Sequence, residues 1–218
     1  LRLGILGGTF DPIHLGHLRL AEEVGEELKL ERVYLVPAAW PPHKEIRPIT
    51  PFLQRVAMAR LAARESPLLD VHDLEGRREG FSYSIETLKQ FHSLFVSNLE
   101  LFFILGLDAF VEIETWREYQ DLFRYAHFVV IQRPGFPSRR LEPFLDSLGL
   151  GFERTGERNV FLGASGNKVL YMEATLMAIS STGIREKVAA GKSIRFLVPE
   201  GVRSYIVENR LYEKYGAS

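Results

Sequence analysis

Along the first third of the chain the apolar positions change their period several times. Arg2–Leu6 is a short, nearly continuous apolar run that reads as a buried strand. From about His17 to Leu28, Leu18, Ala21, Val24 and Leu28 recur at helical spacing, and Arg32–Val36 returns to a strand pattern ended by Pro37. Pro51–Ala63 carries Phe52, Leu53, Val56, Ala57, Arg60 and Leu61 in helical register. Leu69–Leu74 reads as a strand, and Ser84–Phe95 as a helix with Ser84 at its N-cap. Leu101–Leu105 is a strongly apolar strand, followed by a helical segment around Phe110–Arg124 and a strand at Phe128–Gln132. Val169–Met172 is a further strand, and helices near Thr182–Ala190 and Pro199–Asn209 complete the pattern.

Strand–helix alternation of this kind predicts an α/β fold: a doubly wound, Rossmann-like parallel sheet with helices on both faces. A single domain over residues 1–218 is expected, with a C-terminal helical part from about residue 180. Such sheets bind ligands at the carboxyl ends of their strands, which directs attention to the loops after Leu6, Val36, Leu105 and Gln132. Ala38–Thr50, rich in proline, reads as a long ordered loop, and Gly149–Lys168, glycine-rich and weakly patterned, as a surface excursion.

Composition narrows the chemistry. With 27 basic and 28 acidic residues the formal charge is −1, and no run of like charge marks a nucleic-acid tail or a membrane-surface helix. An anionic ligand would need a locally built site. The chain has no cysteine, which removes disulfides, thiolate metal sites and thiol nucleophiles together. The apolar stretch Leu99–Val111 is broken by Glu100 and Asp108, and no secretory leader pattern is visible, so a cytoplasmic location is expected.

Behind the first strand stands Gly7-Gly8-Thr9-Phe10-Asp11-Pro12-Ile13-His14-Leu15-Gly16-His17. The glycine spacing does not supply the G-x-G-x-x-G of dinucleotide-binding loops. Gly191-Lys192-Ser193 fails as a phosphate loop, because position 186 is Glu and a helix precedes it. His14, His17 and Asp11 lack a further ligand for zinc. A strand, a glycine turn and a helix start instead suit phosphate: the backbone comes close, helix amides attract anions, and two imidazoles can donate as charge builds. Near the other end, Ile179-Ser180-Ser181-Thr182-Gly183-Ile184-Arg185 is a hydroxyl-rich helix start. Its plain reading is N-capping, yet no Glu or Gln follows three residues on to close a capping box, which leaves amides open to an anion.

The first motif resembles the signature of the HxGH nucleotidyltransferases. Together with Ile179–Arg185 it resembles the bacterial nicotinate-nucleotide adenylyltransferases, as do Pro41-Pro42-His43-Lys44, Phe81–Ser84, Gly106-Leu107-Asp108, Thr115–Tyr119 and Arg133-Pro134-Gly135. One departure is Ser84, where the family often has Thr. The resemblance implies adenylyl transfer from ATP to nicotinate mononucleotide, releasing pyrophosphate, with Mg2+ carried on ATP and no dedicated metal cage in the protein. The amide mononucleotide as substrate, or a non-catalytic nucleotide-binding module, stand as alternatives.

By the same resemblance His14 and His17 are catalytic at the α-phosphate. Gly8, Thr9, Phe10, Gly106, Asp108, Arg133, Ser180, Ser181, Thr182 and Arg185 bind ATP, with Asp108 and Gly106 at the ribose. Lys44, Ser84, Ile85, Trp116 and Arg117 bind the mononucleotide. Trp116 would stack on the pyridine and the backbone near Ser84–Ile85 and Arg117 would take the carboxylate; the residues alone leave Trp116 equally readable as a core side chain. No nucleic-acid or membrane partner is implied, and oligomeric state is not fixed. His43, His72, His92 and His127 read as surface or core residues, and Arg77 and Arg78 as a solvated loop, with reach to a phosphate as the alternative.

Overall fold

The computed structural model describes residues 1–41, 49–95, 98–132, 141–175 and 177–213. Its strands are β1 (Arg2–Gly8), β2 (Arg32–Pro37), β3 (Leu69–Val71), β4 (Glu100–Gly106), β5 (His127–Ile131), β6 (Glu153–Arg154), β7 (Val160–Leu162) and β8 (Lys168–Met172). They form one sheet in the order β3-β2-β1-β4-β5-β8-β7-β6. The pairings from β3 through to β8 are parallel; β6–β7 and β7–β8 are antiparallel.

The helices are α1 (Leu15–Glu27), α2 (Phe52–Ala63), α3 (Ser84–Leu94), α4 (Leu107–Phe110), α5 (Tyr119–Tyr125), α6 (Leu141–Ser147), α7 (Ser181–Ala189) and α8 (Glu200–Glu208). Side chains alternate across a strand, so a sheet covered on both faces needs strands that are apolar throughout. That is why Leu101-Phe102-Phe103-Ile104-Leu105 shows no alternation. Leu101, Phe103 and Leu105 point into a core shared with α3, α4, α5 and α6. Phe102 and Ile104 point into the other, shared with α1, α2, α7 and α8.

Several elements differ from the sequence reading. Gly149–Lys168 is no mere surface excursion: it supplies β6 and β7, a hairpin that extends the sheet beyond β8. Strands of two and three residues are too short to show a period. The segment around Phe110–Arg124 is not one helix. It breaks into α4, a 3-10 turn at Ile113–Thr115 and α5, with Glu118 in the left-handed region at φ 52°. β3 stops at Val71 and Leu74 opens a 3-10 turn. Ser84 is the first residue of α3 rather than its cap; Tyr83 holds the cap position, and no side chain caps that end.

Candidate active site

The strand order turns at β1 and β4, which lie side by side while the chain winds outward in both directions. Ligand crevices form at such switch points, outside the carboxyl ends of the strands. Here those ends are Gly8 and Gly106. A Cβ on Gly8 would lie 2.9 Å from the Phe10 ring, which is itself 2% exposed with a left-handed backbone (φ 49°). Phe10 thus spends its side chain on the core, and only its backbone faces the crevice role. A Cβ on Gly106 would meet Asp108 Oδ1 at 2.6 Å, so the bare position lets that carboxylate fold back over the strand end. Asp108 is exposed in the first turn of α4.

The turn after β1 delivers both histidines to the start of α1. His14 is the N-cap residue and His17 lies one turn in. The rings stack with centroids 3.6 Å apart, and the Phe10 ring meets His17 edge-on at 5.0 Å. The His14 backbone N–H donates to His17 Nδ1 at 3.3 Å. That bond assigns the neutral ring's own proton to Nε2, making His17 a donor on its outer side. His14 is buried, its Nδ1 finds no hydrogen-bond partner among the described residues, and burial depresses its pKa to about 4. It is neutral at pH 7, so the stack does not place two positive charges in contact.

The hydroxyl-rich motif docks on the same turn. Ser181 Oγ donates to the Pro12 carbonyl at 2.8 Å, and Arg185 Nη1 to the Asp11 carbonyl at 2.5 Å. Arg185 Nη2 donates to Thr182 Oγ1 at 2.9 Å. Ser180 caps α7: its Oγ accepts the Gly183 N–H at 3.1 Å and keeps its own proton to donate. The plain capping reading therefore holds for Ser180, while Ser181 and Arg185 join two motifs far apart in sequence.

A second layer holds the turn from below, and the motifs do not announce it. Arg55 is 1% exposed; its guanidinium donates to the carbonyls of Thr9 (2.7 Å), Thr50 (2.8 Å) and Ala39 (3.4 Å). The buried Asp11 carboxylate accepts from Tyr212 Oη at 2.8 Å and from the Thr50 N–H at 3.5 Å. Burial and the Asp11 charge push the Tyr212 hydroxyl far above its ordinary pKa, so it stays a donor. Arg55 had a signal: it stands four and seven residues before Ala59 and Ala62, on the buried stripe of α2. Tyr212 had none.

Of the residues assigned to the mononucleotide, Lys44 lies outside the described residues, as does Arg133 on the ATP side. Ile85 is 0% exposed over the whole residue, beside the half-buried Ser84. Trp116 follows the 3-10 turn and is half-buried, one edge against Phe103 at 6.1 Å. Two contacts draw its segment to α3: the Arg117 guanidinium sits 4.8 Å over the Tyr83 ring, and Lys89 Nζ pairs with Glu118 at 3.0 Å. Arg77 is solvated as expected, but Arg78 is not. Its side chain is 15% exposed and pairs with buried Glu75.

The remaining histidines read as structural. His92 Nε2 pairs with the Tyr125 carbonyl at 2.7 Å, His127 Nδ1 accepts the Lys168 N–H at 2.9 Å, and His72 packs against Tyr34 and Phe91. His43 lies outside the described residues. A groove of about 910 Å³ lies at the far end of α1, lined by Glu23, Leu28, Glu157 and Glu173, and shares no residue with the site. Among the described residues no three His, Cys, Asp or Glu gather as metal ligands, and no helix is long and apolar enough to cross a membrane.

Comparison with known proteins bears on the family and the fold. The cytidylyltransferase-like family model matches residues 5–187. A "Probable nicotinate-nucleotide adenylyltransferase" of Geotalea uraniireducens is 45% identical over 213 residues, 97% of this chain and 98% of that protein. One of the same name from Syntrophotalea carbinolica is 42% identical over 215 residues, 97% of each chain. Among solved structures, Plasmodium falciparum nicotinic acid mononucleotide adenylyltransferase complexed with NaAD superposes with a TM-score of 0.73 at 21% identity, covering 97% of both chains. That likeness carries the fold.

Proposed function

Because the chain belongs to the cytidylyltransferase-like family and, within it, to the nicotinate-nucleotide adenylyltransferases, we infer that it transfers the adenylyl group of ATP to nicotinate mononucleotide. The products are nicotinate adenine dinucleotide and pyrophosphate, a step of NAD biosynthesis. The observation that supports this best is the docking of Ser181 and Arg185 onto the Asp11–Pro12 carbonyls beside the stacked histidines. It puts a donor-rich helix start and two imidazoles around one turn at the sheet's switch point.

In this reading an oxygen of the mononucleotide's 5′-phosphate attacks the α-phosphorus of ATP. The bond from that phosphorus to the bridging oxygen breaks, and pyrophosphate leaves with the electron pair. No covalent intermediate on the protein is needed; positioning and charge stabilisation carry the rate. His17 Nε2–H would donate to the α-phosphate, with His14 packed against it. The backbone of Gly8, Thr9 and Phe10 would line the phosphates. Ser180, Ser181, Thr182 and Arg185 would hold the departing pyrophosphate, with Arg133 assisting at the α-phosphate.

Asp108 beside Gly106 would take the ribose hydroxyls, and Lys44 would neutralise the mononucleotide phosphate. Trp116 would stack on the pyridine, while the amides of Ser84, Ile85 and Arg117 would donate to its carboxylate. Magnesium would arrive on ATP as part of the substrate. The reading takes residues 1–218 as one domain, since α7 and α8 share a core with α1 and α2. It places the protein in the cytoplasm, where ATP is available.

The test is His17→Ala assayed with ATP and either mononucleotide. Turnover of the acid should fall by about 10²–10⁴ while the ATP dissociation constant moves by less than about fivefold. Unchanged turnover would overturn the mechanism.

A further inference from the structure

Behind the first turn of α3 lies a small polar cluster inside an otherwise apolar layer. Glu75 is 7% exposed and Thr87 2% exposed. The Thr87 hydroxyl donates to Glu75 Oε1 at 2.5 Å and accepts from Arg78 Nη2 at 2.8 Å, and Arg78 lies 3.4 Å from Glu75 Oε1. The same Arg78 Nη2 donates to the Tyr83 carbonyl at 3.3 Å, and Nη1 to Gln90 Oε1 at 3.3 Å. Tyr83 is the cap residue of α3; its carbonyl also accepts the N–H groups of Glu86 and Thr87. Arg78 thus grips the carbonyl that starts the helix, and Arg117 covers the ring of the same residue.

We propose that Glu75, Thr87 and Arg78 are positioning residues that aim the Ser84–Ile85 amides and so set the enzyme's preference for the acid mononucleotide over the amide. Two observations favour positioning over simple stabilisation. A buried ion pair is commonly no more stable than apolar residues of the same volume, so stability alone gives little reason to keep charge here. Glu75 Oε2 is moreover buried without a partner among the described residues, a cost that a purely structural staple would shed.

The chemistry of selection follows from the helix end. The Ser84 and Ile85 N–H groups have no acceptor among the described residues, and an unsatisfied helix start favours an anion over a neutral carboxamide. That advantage depends on where the amides point, because a hydrogen bond weakens steeply once bent. A first turn free to rock would still admit the pyridine but would lose the charge discrimination.

This inference rests on the substrate reading above, and the experiment separates the two. Wild type, Thr87→Val, Thr87→Ser and Arg78→Lys are compared with nicotinate mononucleotide, nicotinamide mononucleotide and ATP as varied substrates, with circular dichroism to confirm folding. Thr87→Val should raise KM for the acid about 10- to 30-fold, leaving KM for ATP within about twofold and kcat/KM for the amide within about threefold. Thr87→Ser should restore the acid KM to within about threefold of wild type.

Arg78→Lys keeps the charge beside Glu75 but cannot span Thr87, Tyr83 and Gln90 together, so it should narrow the acid-to-amide ratio as Thr87→Val does. If Thr87→Val does not fold, Arg78→Lys decides alone. An unchanged ratio, or an equal loss for acid, amide and ATP, overturns the proposal and leaves the substrate reading standing. A wild type that does not turn over nicotinate mononucleotide overturns both, and the wild-type assay alone reveals it.

Discussion

Tyr212→Phe removes one oxygen from the layer beneath the Asp11–Pro12 turn and leaves the ring in place. The hydroxyl donates to Asp11 Oδ1 at 2.8 Å, and Asp11 is 2% exposed. A hydrogen bond to a charged group contributes about 1.5–3 kcal/mol, and the half-buried ring places this one near 2 kcal/mol. At roughly 2.1 cal/mol/K per residue, a chain of 218 residues has an unfolding entropy of about 0.46 kcal/mol/K. The expected loss in Tm is therefore about 4 °C, read by scanning calorimetry. The Asp11 carbonyl also receives Arg185, so slack in Asp11 should reach the Arg185 guanidinium and the start of α7. A fall in kcat of about three- to tenfold is expected, with KM for the mononucleotide little changed. Asp11→Asn and the double variant complete a cycle, which should return a coupling of about 1–2 kcal/mol. Additive effects, or a Tm unmoved within about 1 °C with kcat intact, would refute the linkage.

Three further outcomes follow from the same geometry. The pKa of His14 is about 4 in the folded protein against 6.5 for the ordinary side chain, so between these values the unfolded chain binds more protons and stability rises with pH. The contribution, at most about 3 kcal/mol, is complete above pH 6.5 and is lost as pH falls toward 4. His14→Gln should flatten the urea midpoint against pH in that window, leaving the residual slope of His72 and His127, whose pKa values burial also lowers. Gly8→Ala should cost about 1–3 kcal/mol and at least about tenfold in kcat, because its Cβ meets the Phe10 ring at 2.9 Å; urea titration and steady-state rates check both. Chelation by EDTA should stop turnover, reversibly on adding Mg2+, while Tm of the protein alone moves less than about 1 °C; a large drop would indicate a resident metal.

How far the sequence reveals these features depends on how local their causes are. The parallel sheet is readable because buried strands such as Leu101–Leu105 show an unbroken apolar run, and amphipathic α1 its helical period, within one short window. The hairpin of β6 and β7 is not, since its few residues take their register from β8 rather than from their own pattern. The two motifs are legible as residue types, but their meeting is a tertiary fact. Ser181 and Arg185 end on carbonyls, which every residue possesses, so nothing in the letters marks Asp11 and Pro12 as their acceptors. Arg78 illustrates the reverse error. An arginine beside Arg77 in a polar stretch looks solvated, and only its ion pair with Glu75 reveals that it faces inward.

The clamp on the Asp11–Pro12 turn spans the chain almost from end to end. Its bonds from Ser181, Arg185 and Tyr212 bridge 169, 174 and 201 residues. During synthesis the turn leaves the ribosome well before the three side chains that complete it. Contacts of such long range form slowly, because loop closure must precede their reward. A nascent or nicked chain lacking α7 and the Tyr212 segment would therefore hold its histidines without the donors that frame them. The geometry of the turn thus depends on segments that most of the sequence separates from it.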